Sequence, residues 1–187
     1  MHLLSHAIIQ SKEHTMYNEK MTVGGGCFWC LDAVFSEVSG VSEVLCGYAG
    51  GSDKDATYEK VSMGRTLHAE VVQISFDAKR ISYEELLDIF WKIHDPTTLN
   101  RQGNDVGTQY RSVVFYHDNL QKEKALASLA HHGTLFKNFI VTQIEPLEAF
   151  YVAETYHQDY FQKNPNQGYC SVVIAPKVEH FKEWYKG

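Results

Sequence analysis

The chain has 187 residues and a formal net charge of −6 at pH 7, with 44% apolar and 21% charged residues. That length suits one domain with a sizeable core, and the absence of basic clusters argues against nucleic acid or an anionic membrane as its main partner. Cysteines at 27, 30, 46 and 170 are too unevenly spaced for a secreted disulfide framework, so a reducing compartment, the cytoplasm, is expected.

Residues 1 to about 20 make a poor signal peptide. Leu3-Leu4 and Ala7-Ile8-Ile9 are interrupted by Ser5 and His6, and no basic region precedes them. They are read as a peripheral extension, with residues 21–187 as a single domain. No apolar run approaches the ~20 residues of a membrane span.

Val23-Gly24-Gly25-Gly26 closes a short strand and turns sharply into Cys27-Phe28-Trp29-Cys30. Leu31, Val34, Phe35 and Val38 follow at helical spacing, with Gly40 at the C-terminal cap. Cys27 thus opens a helix, where unpaired N–H groups favour its thiolate. Val41 to Tyr48 is a strand ending in Ala49-Gly50-Gly51, and Cys46 within it is a small buried hydrophobe. Tyr58 sits in the polar loop that follows.

His68 to Phe76 is a strand with Glu70, Val72, Ile74 and Phe76 on one face. Glu70 either meets solvent at the sheet rim or lies against apolar surface, where its pKa rises toward that of a general acid. Ser82-Tyr83-Glu84-Glu85 is a capping box opening a helix that Asp95-Pro96 ends. A polar loop from Asn100 carries Asp105 and leads into a strand from Tyr110 to Tyr116. Asp118 caps a helix to about His131. A Cys2His2 zinc site using His131 and His132 is disfavoured, since adjacent helical positions face apart. A strand from Ile140 to Ile144 precedes an aromatic helix from about Phe150 to Gln162, which includes His157. A Gly/Asn/Pro loop then delivers Cys170, a thiol placed to move, and Val172 to Ala175 reads as a strand before an amphipathic end. Strands alternating with helices point to a two-layer α/β (α+β) sandwich.

These residues describe a thiol-redox enzyme with Cys27 as the activated sulfur. Either Cys30, one helical turn on as in thioredoxin-like Cys-x-x-Cys pairs, or Cys170 can serve as the second thiol.

The ordered set Gly26-Cys27-Phe28-Trp29, Gly47-Tyr48-Ala49-Gly50-Gly51, Thr57-Tyr58, His68-Ala69-Glu70, Gln102-Gly103-Asn104-Asp105, Gly107-Thr108-Gln109-Tyr110-Arg111-Ser112, His157-Gln158, Asn164-Pro165 and Gly168-Tyr169-Cys170 resembles the A-type peptide methionine sulfoxide reductases over roughly residues 22–175. The resemblance implies a ferredoxin-like mixed sheet with helices packed on it. It implies attack by Cys27 on the sulfur of methionine S-sulfoxide, free or in proteins. Glu70 is implied as the acid, with Tyr58 and Tyr110 as hydrogen-bond donors to the sulfoxide oxygen. Phe28 and Trp29 are implied to hold the S-methyl group, Asp105 to orient the polar groups and His157 to line the site. Cys27 would become a sulfenic acid, resolved to a disulfide and recycled by thioredoxin or another dithiol. Cys170 is favoured as the resolving thiol because its Gly168-Tyr169 approach matches the family, with Cys30 as the alternative. No metal or tightly bound cofactor is expected, and a monomer is.

Overall fold

A computed structural model describes residues 18–187. Most of the proposed extension, residues 1–17, lies outside the described residues, and Asn18 already opens the first strand. The elements run β1 (Asn18–Gly24), α1 (Phe28–Phe35), β2 (Val41–Ala49), α2 (Tyr58–Ser62), β3 (Ala69–Asp77), α3 (Tyr83–Ile93), β4 (Arg101–Gln102), β5 (Asp105–Val106), β6 (Val113–Tyr116), α4 (Asn119–Gly133), β7 (Gln143–Pro146), β8 (Phe150–Val152), α5 (Tyr160–Lys163) and α6 (Ala175–Trp184). Six strands form one mixed sheet in the order β7-β6-β1-β3-β2-β8, in which only β6 and β7 run parallel; β4 and β5 make a separate ribbon.

Alternation along β3 decides the layers. Val72, Ile74 and Phe76 enter the main core with Met21 and Val23 of β1, Phe28, Leu31, Val34 and Phe35 of α1, Leu86 and Phe90 of α3, and Phe181 of α6. Ala69 and Val71 turn to the other face, where they pack with Ala49, Val113 and Phe115. Helices on one face of a mixed sheet are the α+β sandwich expected. The caps are those the sequence announces: Ser82 and Glu85 form a full capping box, and Asp118 accepts from the Gln121 amide at the start of α4.

Several segments depart from the sequence reading: Tyr58, expected in a loop, opens α2, and the strand expected from Ile140 begins only at Gln143. The strand expected from Tyr110 begins only at Val113, because Thr108–Tyr110 is a 3₁₀ turn closed by the Tyr110 amide on Gly107 O at 3.0 Å. The helix expected over 150–162 is instead β8, a 3₁₀ turn at Thr155–His157 and the single turn α5. The sheet edge outweighs helical spacing there: β8 pairs with β2 as Gly47↔Val152 and Tyr48↔Tyr151. Gly47 permits this pairing, since a Cβ on it would lie 2.4 Å from the Phe150 ring. The strand expected over 172–175 is a wide π turn, Cys170–Ile174, running into α6. A short apolar run does not by itself distinguish strand from buried helix, and Ile174, Val178 and Phe181 repeat at helical spacing along one buried face.

Candidate active site

Cys27 is the N-cap of α1, in extended backbone (φ −60°, ψ 128°), and its carbonyl accepts from the Cys30 amide at 3.1 Å. Gly26 before it has φ +93°, a region open to glycine, and a Cβ there would lie 2.7 Å from the Gln102 side chain. The Gly26 amide donates to Tyr110 O at 3.2 Å. That bond carries the loop before β6 to the nucleophile, so Tyr110 arrives by a turn rather than by a strand face.

Glu70 stands beside this turn. Its residue is 2% exposed, and its Oε2 accepts from the Phe28 amide at 3.1 Å, in the first turn of α1. Burial pushes its carboxyl up to about 8; the Phe28 amide opposes that rise and the Asp105 charge adds to it. The solvent-exposed alternative at the sheet rim is therefore set aside: Glu70 is a protonated acid at neutral pH. Tyr58 and Tyr110 are both raised by burial first and then by the charges of Glu70 and Cys27, so each keeps its hydroxyl proton next to both groups.

The thiols do not titrate as helix position alone suggests. Cys27 is raised, by the Cys30 side chain first, then by burial and Glu70, with only the Trp29 amide pulling it down. Cys30 is lowered to about 7, chiefly by Cys27 against the effect of burial. The two thiols shift each other in opposite directions, and for Cys27 this and burial outweigh the N-terminal field of an eight-residue helix. Cys46 is fully buried on β2, its thiol pushed up by burial and directed at Phe28 O at 3.7 Å, in keeping with a structural residue. Cys170 is fully buried in the π turn rather than carried on a loop.

An aromatic corner closes the other side. Trp29 stacks on Tyr160 with ring centroids 3.7 Å apart and 6° between planes, and its Nε1 donates to His157 Nδ1 at 3.2 Å. That bond leaves the His157 proton on Nε2, which lies 3.5 Å from Glu154 Oε2. Burial holds His157 below its usual range, so it is a neutral wall residue. Phe28 lies 5.0 Å from the His157 ring and 5.8 Å from that of Tyr48.

Sequence reasoning missed Glu154. Its carboxylate accepts from the Tyr58 amide and from the Tyr48 hydroxyl, both at 2.8 Å, and so fixes the start of α2 to the sheet. Gln158 was seen only as part of a motif; its side chain accepts from Cys46 N at 2.8 Å and donates to Cys46 O at 3.0 Å, pinning the His157 segment to β2. Neither role has a local signal, since both depend on the β2–β8 pairing. Asp105 lies on the ribbon and accepts from the Tyr169 hydroxyl at 2.7 Å.

The set combines a thiol pair, a neutral buried carboxylic acid and two phenols around one turn, flanked by aromatic rings. Such a set can attack an electrophilic sulfur while protonating an oxygen bound to it.

Comparison with known proteins gives the family. Residues 19–187 match the family model described as peptide methionine sulfoxide reductase. The peptide methionine sulfoxide reductase MsrA of Nautilia profundicola is 60% identical over 162 residues, covering 87% of this chain and 93% of that protein. Saccharomyces cerevisiae Mxr1 in its reduced form superposes with a TM-score of 0.79 at 37% identity, covering 83% of this chain and 90% of that one. Mxr1 in complex with Trx2 superposes with a TM-score of 0.56 at 27% identity, covering 78% and 86%. The chain belongs to the peptide methionine sulfoxide reductases of the MsrA type and is an oxidoreductase with methionine sulfoxide reductase activity.

Proposed function

We propose that the chain reduces the S-epimer of methionine sulfoxide, free or within oxidised proteins, through a covalent cycle on Cys27. The observation that carries this reading is the bond from the Phe28 amide to Glu70 Oε2 at 3.1 Å, which holds a neutral acid over the turn bearing the thiol. Cys27 gives up its proton, with the Cys30 sulfur as the adjoining acceptor, and attacks the sulfoxide sulfur. Glu70 protonates the sulfoxide oxygen, and Tyr58 and Tyr110 donate hydrogen bonds to it, so negative charge on oxygen is neutralised as it develops. Phe28 and Trp29 hold the S-methyl group, His157 lines that wall, and Asp105 orients the polar side of the site.

Methionine leaves and Cys27 becomes a sulfenic acid. The balance is one thiol and one sulfoxide consumed, and one sulfenic acid and one thioether formed. A second thiol then closes a disulfide with loss of water; Cys30 and Cys170 both lie on the α1 side of the sheet. A dithiol of the thioredoxin class reopens it by exchange, a reading supported by the solved complex of Mxr1 with Trx2. The activity suits repair of oxidative damage in a reducing compartment such as the cytoplasm.

The test is one turnover without reductant. The reduced chain should release one methionine per chain from the S-epimer and almost none from the R-epimer, and Cys27→Ser should release none. Methionine release by Cys27→Ser would end the reading.

A further inference from the structure

One aromatic ring beside the site is used by no step of the reaction. Tyr156 lies in the 3₁₀ turn Thr155–His157 and is 58% exposed. Its inner side rests on two residues of the site. The ring centroid is 4.1 Å from that of His157, and 6.4 Å from that of Tyr58 with the planes at 89°. Other bonds fix the turn itself: His157 N donates to Glu154 O at 3.0 Å, Gln158 N donates to Thr155 O at 3.2 Å, and the Gln158 side chain ties the segment to Cys46. Val152, on the outermost strand of the sheet, is 58% exposed as well. The stretch leading into the site thus presents two large side chains to solvent.

A free amino acid is served by the inner residues: Phe28, Trp29 and His157 around the methyl group, Tyr58 and Tyr110 at the oxygen. Tyr156 lies a ring's width beyond Tyr58. A methionine sulfoxide within a polypeptide brings its neighbours with it, their Cα atoms spaced about 3.8 Å apart, and the residue beside it meets the rim where Tyr156 stands. An exposed tyrosine there supplies a large amphipathic contact area at low cost in side-chain entropy. Resting on the reading that the sulfoxide is reduced at Cys27, we propose that Tyr156 is a specificity-determining residue for polypeptide substrates. Its ring packs against an apolar side chain next to the oxidised methionine, so an extended apolar stretch is taken in preference to the free amino acid. The contact lies away from the reacting atoms and is the same in the ground state and the transition state. It therefore acts on KM and leaves kcat alone.

The experiment compares three substrates on the full chain with dithiothreitol as reductant. They are free methionine S-sulfoxide, a blocked pentapeptide with leucine on both sides of the S-sulfoxide, and the same peptide with glycine there. Tyr156→Ala should lower kcat/KM for the leucine peptide roughly three- to tenfold, the worth of one aromatic contact, through KM. The free amino acid and the glycine peptide should stay within about twofold of native, since neither brings a side chain to the rim. Tyr156→Phe keeps the ring and should retain the native preference for leucine. The ratio of the leucine-peptide and free-substrate values, taken on one preparation, is independent of the folded fraction, so a poorly folding variant still decides the matter. An equal loss for all three substrates would make Tyr156 a packing residue of the site and overturn the proposal. So would an unchanged leucine-peptide value in Tyr156→Ala, or a loss in Tyr156→Phe as large as in Tyr156→Ala. If the native chain reduces none of the three, the reaction reading itself has failed and this proposal falls with it.

Discussion

Glu70 and Phe28 are joined by a bond from the Phe28 amide to the Glu70 carboxyl at 3.1 Å, between a central strand and the first turn of the nucleophile's helix. The acid is thereby fixed to the residue following Cys27. A carboxyl that is 2% exposed needs such a partner, because an unpaired buried polar group is costly. The same geometry sets catalytic and stability behaviour, and the two are separable by experiment.

Glu70→Gln keeps the shape and removes the proton. Methionine release in a single turnover should slow by about 10²–10⁴-fold. In the native chain the rate should fall as pH rises through about 8, where Glu70 ionises. Stopped-time methionine assays across pH 6–10 check both (roughly that span brackets the titration), and that Glu70 limb should vanish in the variant.

Stability should follow the same group. The folded carboxyl titrates at about 8 against 4.5 for the ordinary group, so between those values the native state binds more protons than the unfolded one. Stability therefore declines as pH rises through that window. Glu70→Gln lacks this titration, so its Tm relative to the native chain should climb from acid to alkaline pH. Calorimetry at several pH values gives the slope, and a pH-independent difference would count against a buried neutral acid.

Glu154→Gln puts an amide NH2 where one of two donors, Tyr58 N or Tyr48 Oη, now finds an oxygen at 2.8 Å. One buried donor loses its partner, at a cost of about 1–3 kcal/mol. Tyr58 loses its anchor, and kcat should drop on the order of tenfold, as for one misplaced hydrogen bond to the sulfoxide oxygen. Steady-state kinetics and a urea titration check the two effects.

Tyr160→Ala removes the ring stacked 3.7 Å from Trp29. Such a pair is worth about 0.5–1.5 kcal/mol beyond area burial, so KM for methionine sulfoxide should rise roughly two- to tenfold, with kcat less affected. A change confined to kcat would mean that Trp29 is not a binding wall.

Gly47→Ala tests the sheet edge. The added Cβ would sit 2.4 Å from the Phe150 ring and 2.6 Å from Tyr151 O. Overpacking of this kind costs about 1–3 kcal/mol. The displaced β8 takes Glu154 and His157 with it, so Tm and activity should fall together; a stable, fully active variant would show that β8 does not position the site.

Much of this was legible in local pattern. The three glycines, the apolar stripe after Cys27, the capping box at Ser82, the N-cap at Asp118 and the alternation through Glu70 each act within a few residues, where backbone sterics and burial periodicity decide. Tyr110 was named but set on the wrong element, because its position follows from a bond to Gly26 across the site. The aromatic segment after Phe150 was assigned to helix because periodicity carries no information about a vacant sheet edge.

By itself the sequence determined which sulfur heads the helix, which carboxyl shares the apolar face of its strand, and that a thiol chemistry was at hand, since each follows from residue type and short-range spacing. Tertiary structure decided the rest. It set the raised titration of Glu70 and the opposite shifts of Cys27 and Cys30, joined Tyr58 to the sheet through Glu154, and set Tyr169 and Asp105 behind Cys30. Those depend on desolvation and on pairings between residues as many as 139 positions apart, as for Cys30 and Tyr169, and no local pattern encodes either.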